Sequence, residues 1–368
     1  MLLSLQAARA AAAALVVLFH LGGTFAQDRY FGFKALDVLF VWGDAGVDFF
    51  FVLSGFLIMT VHRRDIGRPQ ALGGYLVKRL LRIYPSYWLV SAAVLAAAWV
   101  VPSLRSALPA DLPTLIAALL LLPQDPAIVG GTGSPILFVA WSLHFEMLFY
   151  AVFALAIASR AAGFAAVLAL AVAVVVVQSS CQAAGSCGFV LEFLGSPMLL
   201  LFAMGVAAAL LTASSARVPR PAWLAAAAIT GFVGFGLIEI GFGRDPFSVD
   251  RRLIYGALAS LIVIGLARAE AAGAVRCGGG MVKLLGDASY ALYLLHIPII
   301  SVGVKLAAGL GLSSTPALLM AYLALFAACV VAAVVFHITV ERRLLRLFRR
   351  GPPSAVAAAS VPQRRAVR

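Results

Sequence analysis

The residues that could do chemistry in this chain stand inside or beside long apolar runs. In LQAARAAAAALVVLFH, Arg9 and His20 lie eleven positions apart, which on a helix puts them on nearly the same face, separated along the axis by roughly 16 Å. WSLHFEMLFY carries Glu146, with Ser142 and Tyr150 four residues to either side and able to share its face, while His144 points elsewhere. LLGDASYALYLLHIPII carries His296 two residues before Pro298, so the backbone there should be bent and partly unsatisfied. KRLLRIYPSYW places Arg79 and Arg82 three apart on one helix face, and paired guanidinium groups bind phosphates well. Ionisable groups at membrane depth are costly and usually face a bundle interior or a water-filled cavity. Imidazoles exchange protons near neutral pH. Two chemistries fit these parts: a proton relay inside a carrier, or a transferase in which a base within the bilayer deprotonates an acceptor hydroxyl.

Such residues need helices long enough to hold them. Of 368 residues, 63% are hydrophobic and 12% charged, and the mean hydropathy is +1.03, far from a soluble domain with about 25% charged residues. The chain reads as an all-α, polytopic membrane protein. With about 20 apolar residues per crossing, ten spans are expected, centred on 4–25, 45–62, 83–102, 137–158, 162–178, 189–212, 222–241, 250–269, 286–307 and 315–340. TLIAALLLL before Pro123 is too short to cross and reads as a re-entrant or interfacial helix. Gly73 and Gly74 suggest a turn ahead of the third span. Spans five to eight, Ala- and Val-rich, read as scaffold. Glu192 and Glu239 are expected to be solvated at the outer ends, as are the loop residues Arg244, Asp245, Asp250, Arg251 and Arg252, for which acceptor contact is the alternative reading. The membrane domain is taken as 1–348, followed by a disordered basic tail at 349–368.

The net charge of +13 does not indicate nucleic acid, because the basic residues sit in short loops and the tail. A cytoplasmic N-terminus leaves 21 of the 28 lysines and arginines inside, the bias that sets membrane orientation, and puts both termini in the cytoplasm. Arg160, Arg217, Arg220, Arg268, Arg276 and Lys283 fall on that side. The same topology puts QSSCQAAGSCG outside, where a disulfide between Cys181 and Cys187 could persist. Cys277 reads as a loop residue and Cys329 as a small core residue. No metal site is expected, since no cysteine pair with zinc-site spacing is matched by a second. GTFAQD loosely resembles a cleavage site, but the run before it lacks a basic leader and contains Arg9, so an uncleaved first span is expected.

Five segments in order, LQAARAAAAALVVLFH, AGVDFFFVLSGFLI, KRLLRIYPSYW, WSLHFEMLFY and GDASYALYLLHIP, resemble the signature segments of the integral membrane acyltransferase 3 family, over residues 5 to about 341. Within it the chain is similar to members that acetylate bacterial exopolysaccharides. The resemblance implies a ten-span enzyme of the bacterial cytoplasmic (inner) membrane that moves an acetyl or other acyl group from acyl-CoA, a co-substrate and not a bound cofactor, to a hydroxyl of a sugar or lipid-linked glycan. The family motif of a basic residue, ten residues and a His is matched by Arg9 and His20, which implies His20 as catalytic base and Arg9 as its partner at the donor end. Arg79 and Arg82 match the arginine pair expected at the CoA phosphates. Glu146 and His296 match positions that would orient the site. Asp48, Ser54, Trp141 and Tyr150 fall in signature segments and are taken as substrate contacts. His337 and Glu341 depart from the family pattern, since an aromatic residue and a following proline are usual there, and are not expected to be catalytic. Direct transfer and an acyl-histidine intermediate are both compatible with these residues. A membrane carrier for a glycan or acyl intermediate is the runner-up reading. A scaffold in a polysaccharide assembly is the third.

Overall fold

A computed structural model describes residues 2–101, 105, 108–181, 186–215, 218–242, 248–275 and 278–349. Arg217, Arg244, Asp245, Arg276, Cys277 and the tail from 350 lie outside them. The helices are α1 (Leu3–Phe25), α2 (Ala35–Phe40), α3 (Ala45–His62), α4 (Leu72–Val100), α5 (Leu112–Leu119), α6 (Pro126–Val129), α7 (Trp141–Ala158) and α8 (Arg160–Val176). They continue with α9 (Phe189–Leu194), α10 (Met198–Ala213), α11 (Pro221–Phe242), α12 (Val249–Ala271), α13 (Gly280–Asp287), α14 (Ser289–Gly309), α15 (Thr315–Phe336) and α16 (Arg342–Arg349). No strand occurs among the described residues. Among the described residues, ten segments are long and apolar enough to cross a membrane, matching the ten expected spans.

Burial sorts these segments. The second, Ala35–Asp65, is 67% buried, whereas Arg160–Cys181 is only 17% buried, so α3 is central and α8 peripheral. The closest helix contact, α3 on α10, is made by glycines: a Cβ at Gly205 would sit 1.9 Å from the Val52 carbonyl oxygen, and one at Gly55 would sit 2.2 Å from that of Phe202. Small residues let backbones approach where apolar burial against lipid supplies no force between helices.

Successive spans alternate direction between two ends. At the basic end the Leu3 and Ser4 amides donate to Glu270, and Gln6, Arg9, Leu345 and Arg346 line one hollow, so the first and last helices meet there. The opposite end carries the Cys181–Cys187 disulfide.

Three local outcomes change or sharpen the sequence reading. α4 begins at Leu72, so Gly73 and Gly74 lie inside its first turn, and Arg79 and Arg82 are part of the spanning helix itself. α5 is re-entrant: its last carbonyls, at Ala118, Leu119 and Leu120, accept hydrogen bonds from Tyr87, Trp88 and Tyr84, midway along α4. A helix end inside the membrane must find such partners, because no bulk water is there to replace them. Finally, α15 passes through a π-helical turn, His337–Glu341, into α16. Such turns re-aim side chains.

Candidate functional site

Two cavities lie on either side of α14's Tyr293. The first, about 170 Å³, is lined by Arg9, Ser54, Arg79, Arg82, Glu146, Tyr150, Tyr290 and Tyr293. The second, about 650 Å³, is lined by His20, Asp44, Gln124, Thr132, Trp141, His144, Glu192, Arg252 and Tyr293, with Phe19, Phe138, Phe145, Phe189 and Phe193. Val47 and Tyr293 border both. The Tyr293 hydroxyl lies 2.7 Å from Ser142 Oγ and donates toward the Val139 carbonyl at 3.0 Å, which holds the ring in the partition.

His20 and His296 form a pair. His296 is fully buried; its Nδ1 lies 3.1 Å from the Leu292 carbonyl oxygen and its Nε2 lies 3.3 Å from His20 Nδ1. A carbonyl only accepts, so Nδ1 of neutral His296 carries the hydrogen and Nε2 carries the lone pair. His20 Nδ1 faces that lone pair and the Val16 carbonyl oxygen, 3.0 Å away, and is therefore a donor. The remaining nitrogen, Nε2 of His20, keeps its lone pair, on a ring that lines the larger cavity. The helix backbone thus sets the tautomer of both rings.

At the basic end the α4 arginines are held by histidine–carboxylate pairs. His62 Nδ1 lies 2.7 Å from Asp65 Oδ2, and its Nε2 faces Arg79 Nη2 at 3.0 Å. Arg82 Nη1 donates to Glu341 Oε1 at 2.7 Å, while His337 Nδ1 bonds Oε2 of the same carboxylate. His337 and Glu341, set aside as catalytic candidates, are placed by the π-helical turn to orient Arg82. Glu146 accepts from the Tyr150 hydroxyl and, at 3.4 Å, from Ser54.

The expected substrate contacts separate. Ser54 and Tyr150 lie in the smaller cavity with Glu146, and Trp141 lies in the larger one. Asp48 reaches neither: it is fully buried and its Oδ1 accepts from Arg252 Nη1 at 2.5 Å, so it holds Arg252, which does line the cavity. Arg251, Arg252 and Glu239, expected to be solvated, are also buried. Arg251 bonds Asp44 at 2.8 Å and Glu239 at 2.5 Å, and Tyr255 donates to Glu239 at 2.7 Å. Asp44 and Asp48 come from the turn before α3 and from α3 itself, 207 and 204 residues away from the arginines they hold, which makes a charged helix end look solvent-facing in sequence alone. Glu192 is exposed and accepts from Ser186 and the Cys187 amide.

Of the cavity-lining groups Asp44, Arg252 and Tyr293, sequence reasoning overlooked the first and the last, and ranked acceptor contact below solvation for Arg252. A signal existed for two of them: Asp44 precedes Asp48 by one helical turn, and Tyr293 precedes His296 by three residues, the spacing of side chains on one face.

The chain matches the acyltransferase domain family over residues 2–338. It is 31% identical to the exopolysaccharide production protein ExoZ of Rhizobium meliloti, covering 83% of this chain and 91% of that one. It is 28% identical to the acyltransferase MdmB of Streptomyces mycarofaciens, covering 90% and 88%. No solved structure matches it. Ten apolar helices enclosing a histidine pair and an arginine-lined cavity, in a sequence that fits the family from residue 2 to residue 338, make this chain a member of the membrane acyltransferase 3 family.

Proposed function

We propose that this protein transfers an acetyl or related acyl group from acyl-CoA to a sugar hydroxyl of a bacterial exopolysaccharide or other surface glycan, with His20 as general base. The observation that carries the reading is the pair of cavities meeting at Tyr293, one cationic and narrow, the other aromatic with scattered polar groups. The narrow one suits a thin pantetheine arm, its diphosphate held by Arg9, Arg79 and Arg82 through charge-assisted hydrogen bonds. The larger one suits a sugar, whose apolar ring faces stack on aromatic side chains while its hydroxyls bond Asp44, Gln124, Thr132 and Arg252. The name of the Rhizobium relative is consistent with an exopolysaccharide acceptor.

In this mechanism His20 Nε2 takes the proton of the acceptor hydroxyl as its oxygen attacks the thioester carbonyl carbon. The carbon–sulfur bond then breaks, CoA leaves as the thiolate, and the imidazolium returns its proton to sulfur. His296 accepts from Nδ1–H and keeps Nε2 basic and correctly aimed. Glu146, hydrogen-bonded to Tyr150 and Ser54, shapes the donor cavity beside the thioester. The basic end is the cytoplasmic one in this reading, supported by the lysine and arginine bias and by a disulfide at the far end, where an oxidising compartment preserves it. The enzyme then resides in the inner membrane with both termini inside, and draws its donor from the cytoplasm.

The test is release of free CoA by purified protein given acetyl-CoA, with and without glycan acceptor. Acceptor-dependent release is expected from the wild type, with a loss of about 10²- to 10⁴-fold in His20→Ala, the usual worth of a general base. A His20→Ala variant as active as the wild type would remove the assignment.

A further inference from the structure

The donor cavity does not end at its arginines. A second hollow of about 480 Å³ opens beneath it and shares Arg9 and Arg82 with it; Lys283, Asp287, Arg342 and Arg346 complete its charged lining. Five cations therefore face one carboxylate, and that carboxylate is already engaged, by Lys283 at 2.6 Å and by the Gln6 amide at 2.6 Å. Arg342 spends its Nε on His337 Nε2 at 3.1 Å, and Arg346 spends its Nε on the Arg342 carbonyl at 3.2 Å. Among the described residues no carboxylate pairs with either. The cations come from four separate stretches, α1, α4, α13 and α16, that the sequence alone does not bring together.

We infer that this vestibule binds the phosphomonoester on the ribose of the acyl-CoA donor. The inference rests on the acyl-CoA reading above. The donor carries two anionic centres: a diphosphate, from which the thin pantetheine arm extends, and a phosphomonoester on the bulky nucleoside. The chain offers two cation groups in the same order, a narrow cavity with Arg79 and then a wide one with Lys283, Arg342 and Arg346, bridged by Arg9 and Arg82. A doubly charged phosphate ester is the ligand for which several converging guanidinium and ammonium groups repay their mutual repulsion. A phosphate ester at a membrane face can also belong to an anionic lipid headgroup, and the experiment separates the two.

Steady-state transfer is measured with acetyl-CoA and with acetyl-dephospho-CoA, which lacks only the ribose phosphate. Wild type, Lys283→Ala and Arg346→Ala are compared in phosphatidylcholine vesicles with and without phosphatidylglycerol. Both side chains are exposed, so both variants should fold, and unchanged thermal unfolding confirms that. The wild type should prefer acetyl-CoA by about 10- to 100-fold in kcat/KM, the worth of one or two charge-assisted hydrogen bonds. In either variant that preference should fall toward unity, mainly through KM, whatever the lipid. A wild type indifferent to the ribose phosphate, or variants that lose equally on both donors, overturns the inference while leaving acyl-CoA as donor. So does an effect that is equal for both donors and seen only with phosphatidylglycerol, which would assign the hollow to a lipid headgroup. Absence of turnover with both donors in the wild type overturns the underlying acyl-CoA reading instead.

Discussion

His20 and His296 share one hydrogen bond, and their value to each other is asymmetric. His296 is buried away from both cavities, so in the proposed mechanism it acts through His20 as a positioning residue, accepting from Nδ1–H. Replacing it with Gln keeps an acceptor near that atom, whereas Leu does not. His296→Gln should therefore retain about a tenth or more of the wild-type kcat, and His296→Leu should lose about 100-fold, with KM for acyl-CoA little changed in both. Equal activity of the two variants would show that the hydrogen bond carries no function. The Asp48–Arg252 pair makes a second prediction. Both side chains are almost completely buried, so Asp48→Ala removes the nearest carboxylate from a buried guanidinium that retains Asp44 at 3.8 Å, at a cost of about 3 kcal/mol. The double variant Asp48→Ala/Arg252→Met should recover most of the stability but not the acceptor KM, because Arg252 lines the larger cavity. Thermal unfolding in detergent, together with acceptor titration, reads both effects.

α1 is the element on which the two halves of the site converge, since it carries Arg9 into the smaller cavity and His20 to the larger one. Their register is set by helical pitch alone. One alanine inserted between Ala13 and Ala14 rotates everything on one side by about 100° relative to the other. It should abolish transfer while leaving membrane insertion intact, because an Ala-rich helix one residue longer still crosses. The insert is assayed by CoA release and by its yield in the membrane fraction; activity retained at wild-type level would mean that one of the two residues is dispensable. The periodicity that relates Arg9 to His20 is visible in sequence, but the burial of His296 against α1 is not. Likewise the shortness of α5 predicts that it cannot cross, whereas its dip to the middle of α4 depends on Tyr84, Tyr87 and Trp88 meeting its carbonyls.

For the whole molecule, α1 and α16 end at the same face, so orientation is one binary choice. A fluorescent protein fused after Arg368 should fluoresce, and alkaline phosphatase fused there should be inactive. The reverse pattern would put the arginine-lined cavities on the side where no acyl-CoA pool exists and would undo the proposed donor route. Cysteine alkylation from outside should reach the Cys181–Cys187 end only after reduction.

Composition and hydrophobic length by themselves determined that this chain is an all-helical bundle of ten spans, because a crossing helix must satisfy its own backbone and present about 20 apolar residues to lipid. They also singled out Arg9, His20, Glu146 and His296, since any ionisable group in such a run is conspicuous. What only the tertiary structure decided is which of these groups meet. Arg251 and Arg252 read as solvated because their partners Asp44 and Asp48 lie about 200 positions away, and Glu239 because its partners Arg251 and Tyr255 stand on the next helix. The division into two cavities at Tyr293, and the gathering of Lys283, Arg342 and Arg346 beneath Arg82, have the same origin. Helical pitch relates residues on one element, but contacts between elements depend on which faces pack, and a sequence of uniformly apolar helices leaves those faces nearly indistinguishable until glycines such as Gly55 and Gly205 lock them together.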